Sequence, residues 1–150
     1  LGYYRNTTAT EEAIDKDGWL HTGDLALMDK GGYLHIKGRS KNMILGGSGQ
    51  NIYPEEVENK VNNLSFVLES LVIERDGGLM ALVYPDYDEL DAMDLDGTDL
   101  ESFLKDKMED NRIQVNKTLP AYSQIKRIEL QPEPFEKTPT KKIKRFLYDK

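Results

Sequence analysis

Apolar residues recur with two periods along the chain. Val57, Val61 and Leu64 fall at i, i+4 and i+7, and Leu100, Phe103, Leu104 and Met108 keep the same helical spacing, so each set predicts an amphipathic helix. The first helix is expected to start at Tyr53-Pro54-Glu55-Glu56, where proline suits the first turn and carboxylates suit the positive end of the helix dipole. The second is introduced by a capping box, Thr98-Asp99-Leu100-Glu101, and is predicted over residues 99–110. Compact β-prone runs behave differently. Val67 to Ile73 and Leu79 to Tyr84 meet through Arg75-Asp76-Gly77-Gly78, and Leu25 to Met28 and Tyr33 to Ile36 flank Asp29-Lys30-Gly31-Gly32, which predicts two hairpins. A short strand, Ile125 to Leu130, is expected after Leu119-Pro120. Residues 1–39, broken by Gly and Asp, read as short strands and turns. The whole predicts an α+β class: a short β-rich N-terminal remnant followed by a small sheet covered by helices. There is no repeat with a period of roughly 20–50 residues.

Composition narrows the function classes. The 150 residues carry 20 Lys and Arg against 27 Asp and Glu, a formal net charge of −7, which argues against general nucleic-acid binding. Zero cysteine excludes disulfides, Cys-ligated zinc, iron–sulfur clusters and a thiol nucleophile, and the expected address is cytoplasmic. No stretch approaches the roughly 18 apolar residues of a membrane span. The leading Leu1, with no initiator Met, raises the expectation of a piece of a longer chain. Charge is segregated: residues 86–110 hold eleven acidic side chains against Lys105 and Lys107, whereas the C-terminus gathers Lys137, Lys141, Lys142, Lys144, Arg145 and Lys150.

Three clusters mix glycine or threonine with charge: Thr22-Gly23-Asp24; Gly38-Arg39-Ser40-Lys41 with Gly46-Gly47-Ser48-Gly49; and Thr138-Pro139-Thr140-Lys141-Lys142. Asp24 is either a turn aspartate capping its own backbone or a carboxylate for ribose hydroxyls. The glycine run either connects two elements or offers backbone N–H groups to a phosphate, although it lacks the Gly-Lys-Ser/Thr ending of a P-loop. Lys142 is either one solvated lysine among several or a mobile point charge for phosphate or carboxylate. His21 and His35 stand 14 positions apart in no metal-binding pattern and read as structural. Ser48 lacks the G-x-S-x-G frame of a nucleophile elbow.

In order, Asp17-Gly18-Trp19-Leu20-His21-Thr22-Gly23-Asp24, Gly38-Arg39-Ser40-Lys41-Asn42-Met43-Ile44, Gly49-Gln50-Asn51-Ile52-Tyr53-Pro54-Glu55-Glu56-Val57-Glu58 and Thr138-Pro139-Thr140-Lys141-Lys142-Ile143-Lys144-Arg145 resemble the C-terminal end of adenylate-forming enzymes. That family comprises acyl-CoA synthetases, luciferases and peptide-synthetase adenylation domains. The run from Pro134-Phe135 to Tyr148 is most similar to an AMP-forming long-chain fatty-acid CoA ligase.

The resemblance implies that residues 1–39 end a large N-terminal AMP-binding domain and that 40–150 form a mobile C-terminal lid hinged near Lys41. It implies that Asp24 and Arg39 contact ATP or AMP, that Lys142 is the catalytic lysine of adenylation, and that Gly47, Ser48, Gly49 and Gln50 line the CoA tunnel. ATP with Mg²⁺ and CoA are the implied cosubstrates, with no metal held by the chain itself. A fatty acid is the implied acyl donor, and the N-terminal domain of the same chain is the implied partner, with peripheral membrane association through the substrate. The fragment is expected to be inactive alone. The family places Gly before its catalytic lysine; here Lys141 holds that position. Alternatives are an adenylation domain serving another acid and a carrier-protein acceptor, or a non-catalytic α+β binding module.

Overall fold

A computed structural model describes residues 2–93 and 97–149, with the backbone alone at 97–99. The chain divides into two compact units, Leu1–Asn42 and Met43–Lys150. In the first, helix α1 (Thr7–Ala13) precedes strands β1 (Asp24–Met28) and β2 (Leu34–Arg39), which pair antiparallel as the sequence predicts. Helix α1 was not expected. It has no buried residue, hence no apolar stripe, and its one sequence signal is Asn6, whose Oδ1 accepts from Ala9 N at 3.0 Å. A 3-10 turn, Ser40–Asn42, ends the unit.

Two turns of this unit are built alike. Asp15 Oδ1 accepts from Asp17 N and Trp19 N while Oδ2 meets His21 Nε2 at 3.0 Å; Asp29 Oδ1 accepts from Gly31 N and Tyr33 N while Oδ2 meets His35 Nε2 at 2.9 Å. The short sequences Asp-Lys-Asp-Gly-Trp-Leu-His and Asp-Lys-Gly-Gly-Tyr-Leu-His thus fold as one device used twice. Both histidines are structural in this arrangement.

In the second unit, β3 (Ile44–Leu45) and β4 (Asn51–Ile52) form a miniature hairpin ahead of α2 (Pro54–Val61). Proline stands at the first turn of α2, as predicted, and Val57 and Val61 are buried. Leu64 lies beyond the helix but still packs against the core. Strands β5 (Val67–Arg75) and β6 (Gly78–Pro85) pair antiparallel around Asp76 and Gly77, both at positive φ, the pattern of a two-residue type I′ turn. After α3 (Tyr87–Asp91), capped by Asp86, comes α4 (Gly97–Asn116), and then β7 (Ile125–Leu130) pairs parallel with β6. The Thr98 and Asp99 side chains of the predicted capping box lie outside the described residues.

Helix α4 runs six residues past its predicted end. Its buried stripe continues from Leu104 and Met108 through Asn111 to Val115, and a polar residue at a core position hid the continuation. Asn111 is satisfied there, donating from Nδ2 to Ser65 O at 2.9 Å.

The three-stranded sheet, ordered β5-β6-β7, is covered on both faces, which is why β6 reads as an unbroken apolar run. Leu79, Ala81 and Val83 pack with Val57 and Val61 of α2 and Leu104, Met108 and Val115 of α4. Met80 and Leu82 join Leu71 and Ile73 against Phe135 and, partly buried, Ile143 and Tyr148 from the C-terminal segment. The fold is α+β, as the element order predicts.

Candidate functional site

The sequence-predicted residues fall on three loops. In the first unit, pairing of β1 with β2 sets Asp24 directly opposite Arg39, and Arg39 Nη1 donates to Asp24 Oδ1 at 2.8 Å and to Thr22 O at 2.5 Å. Asp24 does not cap its own turn. Thr22 Oγ1 does that, accepting from Asp24 N at 3.1 Å, so the carboxylate is held by a cation and stays partly open to solvent. The structure therefore brings two of the predicted residues together as one exposed ion pair. Lys41 lies in the 3-10 turn that follows, solvent-exposed.

In the second unit, Gly46 to Gln50 form the tip of the β3–β4 hairpin. Gly46 N donates to Gln50 O and Gly49 N to Gly46 O, each at 2.8 Å, and Ser48 Oγ donates to Gln50 Oε1. Gly49 has φ +82, open to glycine at little strain. This is a closed turn separated from α2 by β4, so its amides do not cap that helix, and two of them are spent within the turn itself. Of the two readings of the glycine run, a connection between two elements is the one this turn displays, between β3 and β4.

Lys142 sits in a second tight loop. Thr138 N donates to Lys142 O at 2.8 Å, Lys141 N to Thr138 O at 2.9 Å, and Lys142 N to Thr138 Oγ1 at 3.2 Å, while Lys137 and Ile143 bridge antiparallel just outside. Lys141 has φ +61, the left-handed conformation that glycine adopts most readily. The loop keeps its shape with lysine in a place that suits glycine.

What holds this loop was not foreseen. Arg145, three residues past Lys142, reaches across to α2 and β5: its Nη2 donates to both carboxylate oxygens of Glu58 at 2.5 Å, and its Nη1 to Val72 O at 3.1 Å. Glu58 also accepts from Val72 N at 2.7 Å. Burial pushes the Glu58 carboxyl up from its ordinary range, outweighing the opposing pull of the Arg145 guanidinium and the Val72 N–H. Lys137 pairs with Glu69 at 2.5 Å and Lys144 with Glu136 at 2.9 Å. Glu136 N donates to the Tyr148 hydroxyl at 2.9 Å, and Tyr148 stacks edge-on against Phe135 at 5.2 Å between centroids. The signal for the anchor was present in the sequence as a conflict: Glu58 stands one residue after Val57 and three before Val61, on a flank of the buried stripe.

A groove of about 450 Å³ between α4 and β7, lined by Glu101, Lys105, Met108, Glu109, Arg127 and Ile128 among others, contains none of the predicted residues. No group of three or more His, Asp or Glu gathers as a metal site among the described residues, and no helix there is long and apolar enough to cross a membrane.

No protein-family model matches the chain. It is 55% identical over 69 residues, 46% of its own length, to the long-chain-fatty-acid–CoA ligase of Salmonella typhimurium, of which the match covers 12%. The chain thus aligns with about an eighth of that relative's length. Among solved structures it is similar to the adenylation domain of the carboxylate reductase of Mycobacterium chelonae, with TM-score 0.83 and 23% identity over 98% of this chain and 24% of that one. It is also similar to a fatty acyl CoA synthetase of Mycobacterium tuberculosis, with TM-score 0.57 and 28% identity over 98% of this chain and 26% of that one. The fold is shared with adenylate-forming enzymes, and the sequence likeness is to acyl-CoA ligases.

Proposed function

We propose that this chain is the C-terminal part of an AMP-forming long-chain fatty-acid CoA ligase, residues 1–39 ending its large nucleotide-binding domain and 40–150 forming its mobile lid. The likeness to a long-chain-fatty-acid–CoA ligase at 55% identity carries this reading. The packing of the first unit supports it: a hairpin bearing exposed Leu27, Met28, Leu34 and Ile36 calls for a surface that the remainder of a longer chain would supply.

Two half-reactions follow. In the first, a carboxylate oxygen of the fatty acid attacks the α-phosphorus of ATP, pyrophosphate leaves and an acyl-adenylate forms. Lys142 places its ammonium where negative charge develops, from a hairpin tip held by the Arg145–Glu58 pair. Asp24, held by Arg39, presents its carboxylate to the ribose hydroxyls. Mg²⁺ enters with the nucleotide's phosphates. In the second half-reaction the lid turns about Lys41, the Gly47–Gln50 tip lines the path of CoA, and the CoA sulfur attacks the acyl carbonyl as AMP leaves. The enzyme is cytoplasmic and meets membranes through its substrate, and without its large domain this chain turns over nothing.

The test uses the full parent enzyme with ATP and a panel of fatty acids. Pyrophosphate release should require a long-chain acid, and Lys142→Ala should slow adenylation by about 10²–10³-fold, while supplied acyl-adenylate still becomes thioester. Equal losses in both steps would remove Lys142 from this role. Lys41→Pro, which fixes φ, should slow one half-reaction selectively; unchanged rates in both would remove the hinge.

A further inference from the structure

The loop that carries Lys142 has five cations between residues 137 and 145, and they do not share one fate. Lys137 is neutralised by Glu69, Lys144 by Glu136 and Arg145 by Glu58. Lys141 and Lys142, adjacent at the tip, are exposed and make no ion pair with any described residue. The loop is thus built so that its flanking charges fasten it down and its two tip charges point their demand for a counter-ion outward.

Lys141 is costly where it stands. The turn that closes on Thr138 requires φ near the left-handed region at this residue, and Lys141 meets it at φ +61. For a residue with a side chain that conformation is strained, and glycine would avoid the strain. Backbone strain of this kind is held by the surrounding structure and clusters at functional sites. The contribution available to an exposed lysine is its charge.

Resting on the function proposed above, we infer that Lys141 is a second anion-binding residue of the site, recognising a phosphate of the phosphate-bearing cosubstrate beside Lys142. Two adjacent point charges on one fixed turn attract a polyanion more strongly than one, and the attraction falls with salt. Both ATP and CoA carry phosphates, so the chemistry is shared and the experiment separates the sources.

The experiment compares Lys141→Gly, Lys141→Met, Lys141→Arg and Lys142→Ala in the full-length parent enzyme. Lys141→Gly removes both charge and strain, Lys141→Met removes charge alone, and Lys141→Arg keeps both. KM and kcat are read for ATP in pyrophosphate release and for CoA in thioester formation from supplied acyl-adenylate. The expected result is a KM raised about fivefold or more, the size of one charge-assisted contact, in both Gly and Met variants, with kcat little changed and Lys141→Arg near wild type. A rise for ATP assigns the triphosphate; a rise for CoA assigns its phosphates. The gap between Lys141→Met and wild type should shrink as salt is raised. Unchanged KM values for both cosubstrates in both neutral variants would overturn the inference. So would an Arg variant as impaired as the neutral ones, because shape rather than charge would then be at work. If Lys142→Ala abolishes adenylation while the Lys141 variants change nothing, this inference alone fails. If Lys142→Ala leaves adenylation intact, the proposed role of the loop fails with it.

Discussion

The two units of the chain bury their apolar residues very differently. In Met43–Lys150, Leu71, Met80, Val83 and Ile125 are each 1% exposed or less, and both sheet faces are closed. In Leu1–Asn42, Gly38 is the one buried residue among those described, while Trp19, Met28, Tyr33, Leu34 and Ile36 are each at least two-thirds exposed. A two-stranded hairpin without a covered face is marginal in water. Such a hairpin keeps its shape through turns and backbone pairing rather than through a core. Hydrophobic residues therefore play different parts in the two units: in one they form a core, and in the other they lie exposed. Cooperative unfolding of this chain should report the second unit almost alone, which is a claim that substitutions can break.

The largest effect is expected at the anchor of the second unit. Arg145→Met leaves the Glu58 carboxylate buried with no cation, and removing one partner of a buried pair costs about 3–5 kcal/mol. The pH dependence has a definite sign. Glu58 is raised above its ordinary range, so its charged form is the disfavoured one in the folded state, and that penalty is absent below the unfolded carboxyl value, grows as pH rises from there toward the folded pKa and levels off above it. Without Arg145 the folded pKa rises further. The destabilisation measured by urea unfolding should accordingly be greatest at neutral pH and shrink as pH falls toward the unfolded carboxyl value. A penalty that is small, or the same at all pH values, would show that Arg145 is not needed to hold Glu58.

The comparison itself is sharpened by one pair of truncations. Leu71→Ala in β5 should cost about 2–5 kcal/mol, the transfer free energy of the lost methyl groups plus that of the cavity. Leu34→Ala in β2 removes the same atoms from a side chain 68% exposed and should stay within about 0.5 kcal/mol. Urea midpoints at constant m-value decide between them. A Leu34→Ala penalty near that of Leu71→Ala would mean that the first unit has a core of its own.

Local signals in the sequence carried most of the second unit. Proline before two glutamates marked the start of α2, and Asp76-Gly77 between two apolar runs marked the β5–β6 turn, because both depend on residues close in sequence. Pairings between distant residues were not legible. Nothing local indicates that β7 joins β6 in parallel, or that Phe135, Ile143 and Tyr148 close the second face of the sheet. Arg145 and Glu58 are 87 positions apart, and from sequence Arg145 was a residue of the C-terminal motif with no partner indicated. At the candidate site Asp24, Arg39 and Lys142 were singled out by motif. The Asp24–Arg39 pairing was not, because it follows from strand register. Lys141 was visible only as a departure; its left-handed backbone explains how the loop accommodates it.

That conformation yields a smaller effect within the second unit. Lys141→Gly relieves about 1–2 kcal/mol of left-handed strain and gives back roughly 0.5–1 kcal/mol through the freer unfolded chain. A net gain of between zero and about 1.5 kcal/mol is expected, seen as a raised Tm of this chain. Loss of stability on this substitution would mean that the lysine side chain itself holds the loop.

The smallest effect belongs to the first unit and shows what orders a segment that has no core. Asp15 and Asp29 each hold two backbone amides and a histidine, and their carboxyls are lowered, at Asp15 foremost by the Trp19 N–H and at Asp29 foremost by the His35 side chain. A carboxyl lowered by folding contributes its stability above the unfolded value, and that contribution is lost as pH falls through the folded one. Amide exchange at Trp19 and Tyr33, whose N–H groups the two aspartates accept, should therefore lose protection on acidification while the β5–β6 amides keep theirs. Asp29→Asn should reproduce part of that loss at neutral pH for Tyr33 and leave Trp19 unaffected, because the two turns are separate devices. If the β5–β6 amides and Trp19 lost protection together at the same pH, the two units would be opening as one, and the contrast between a self-closed fold and an uncovered hairpin would not hold.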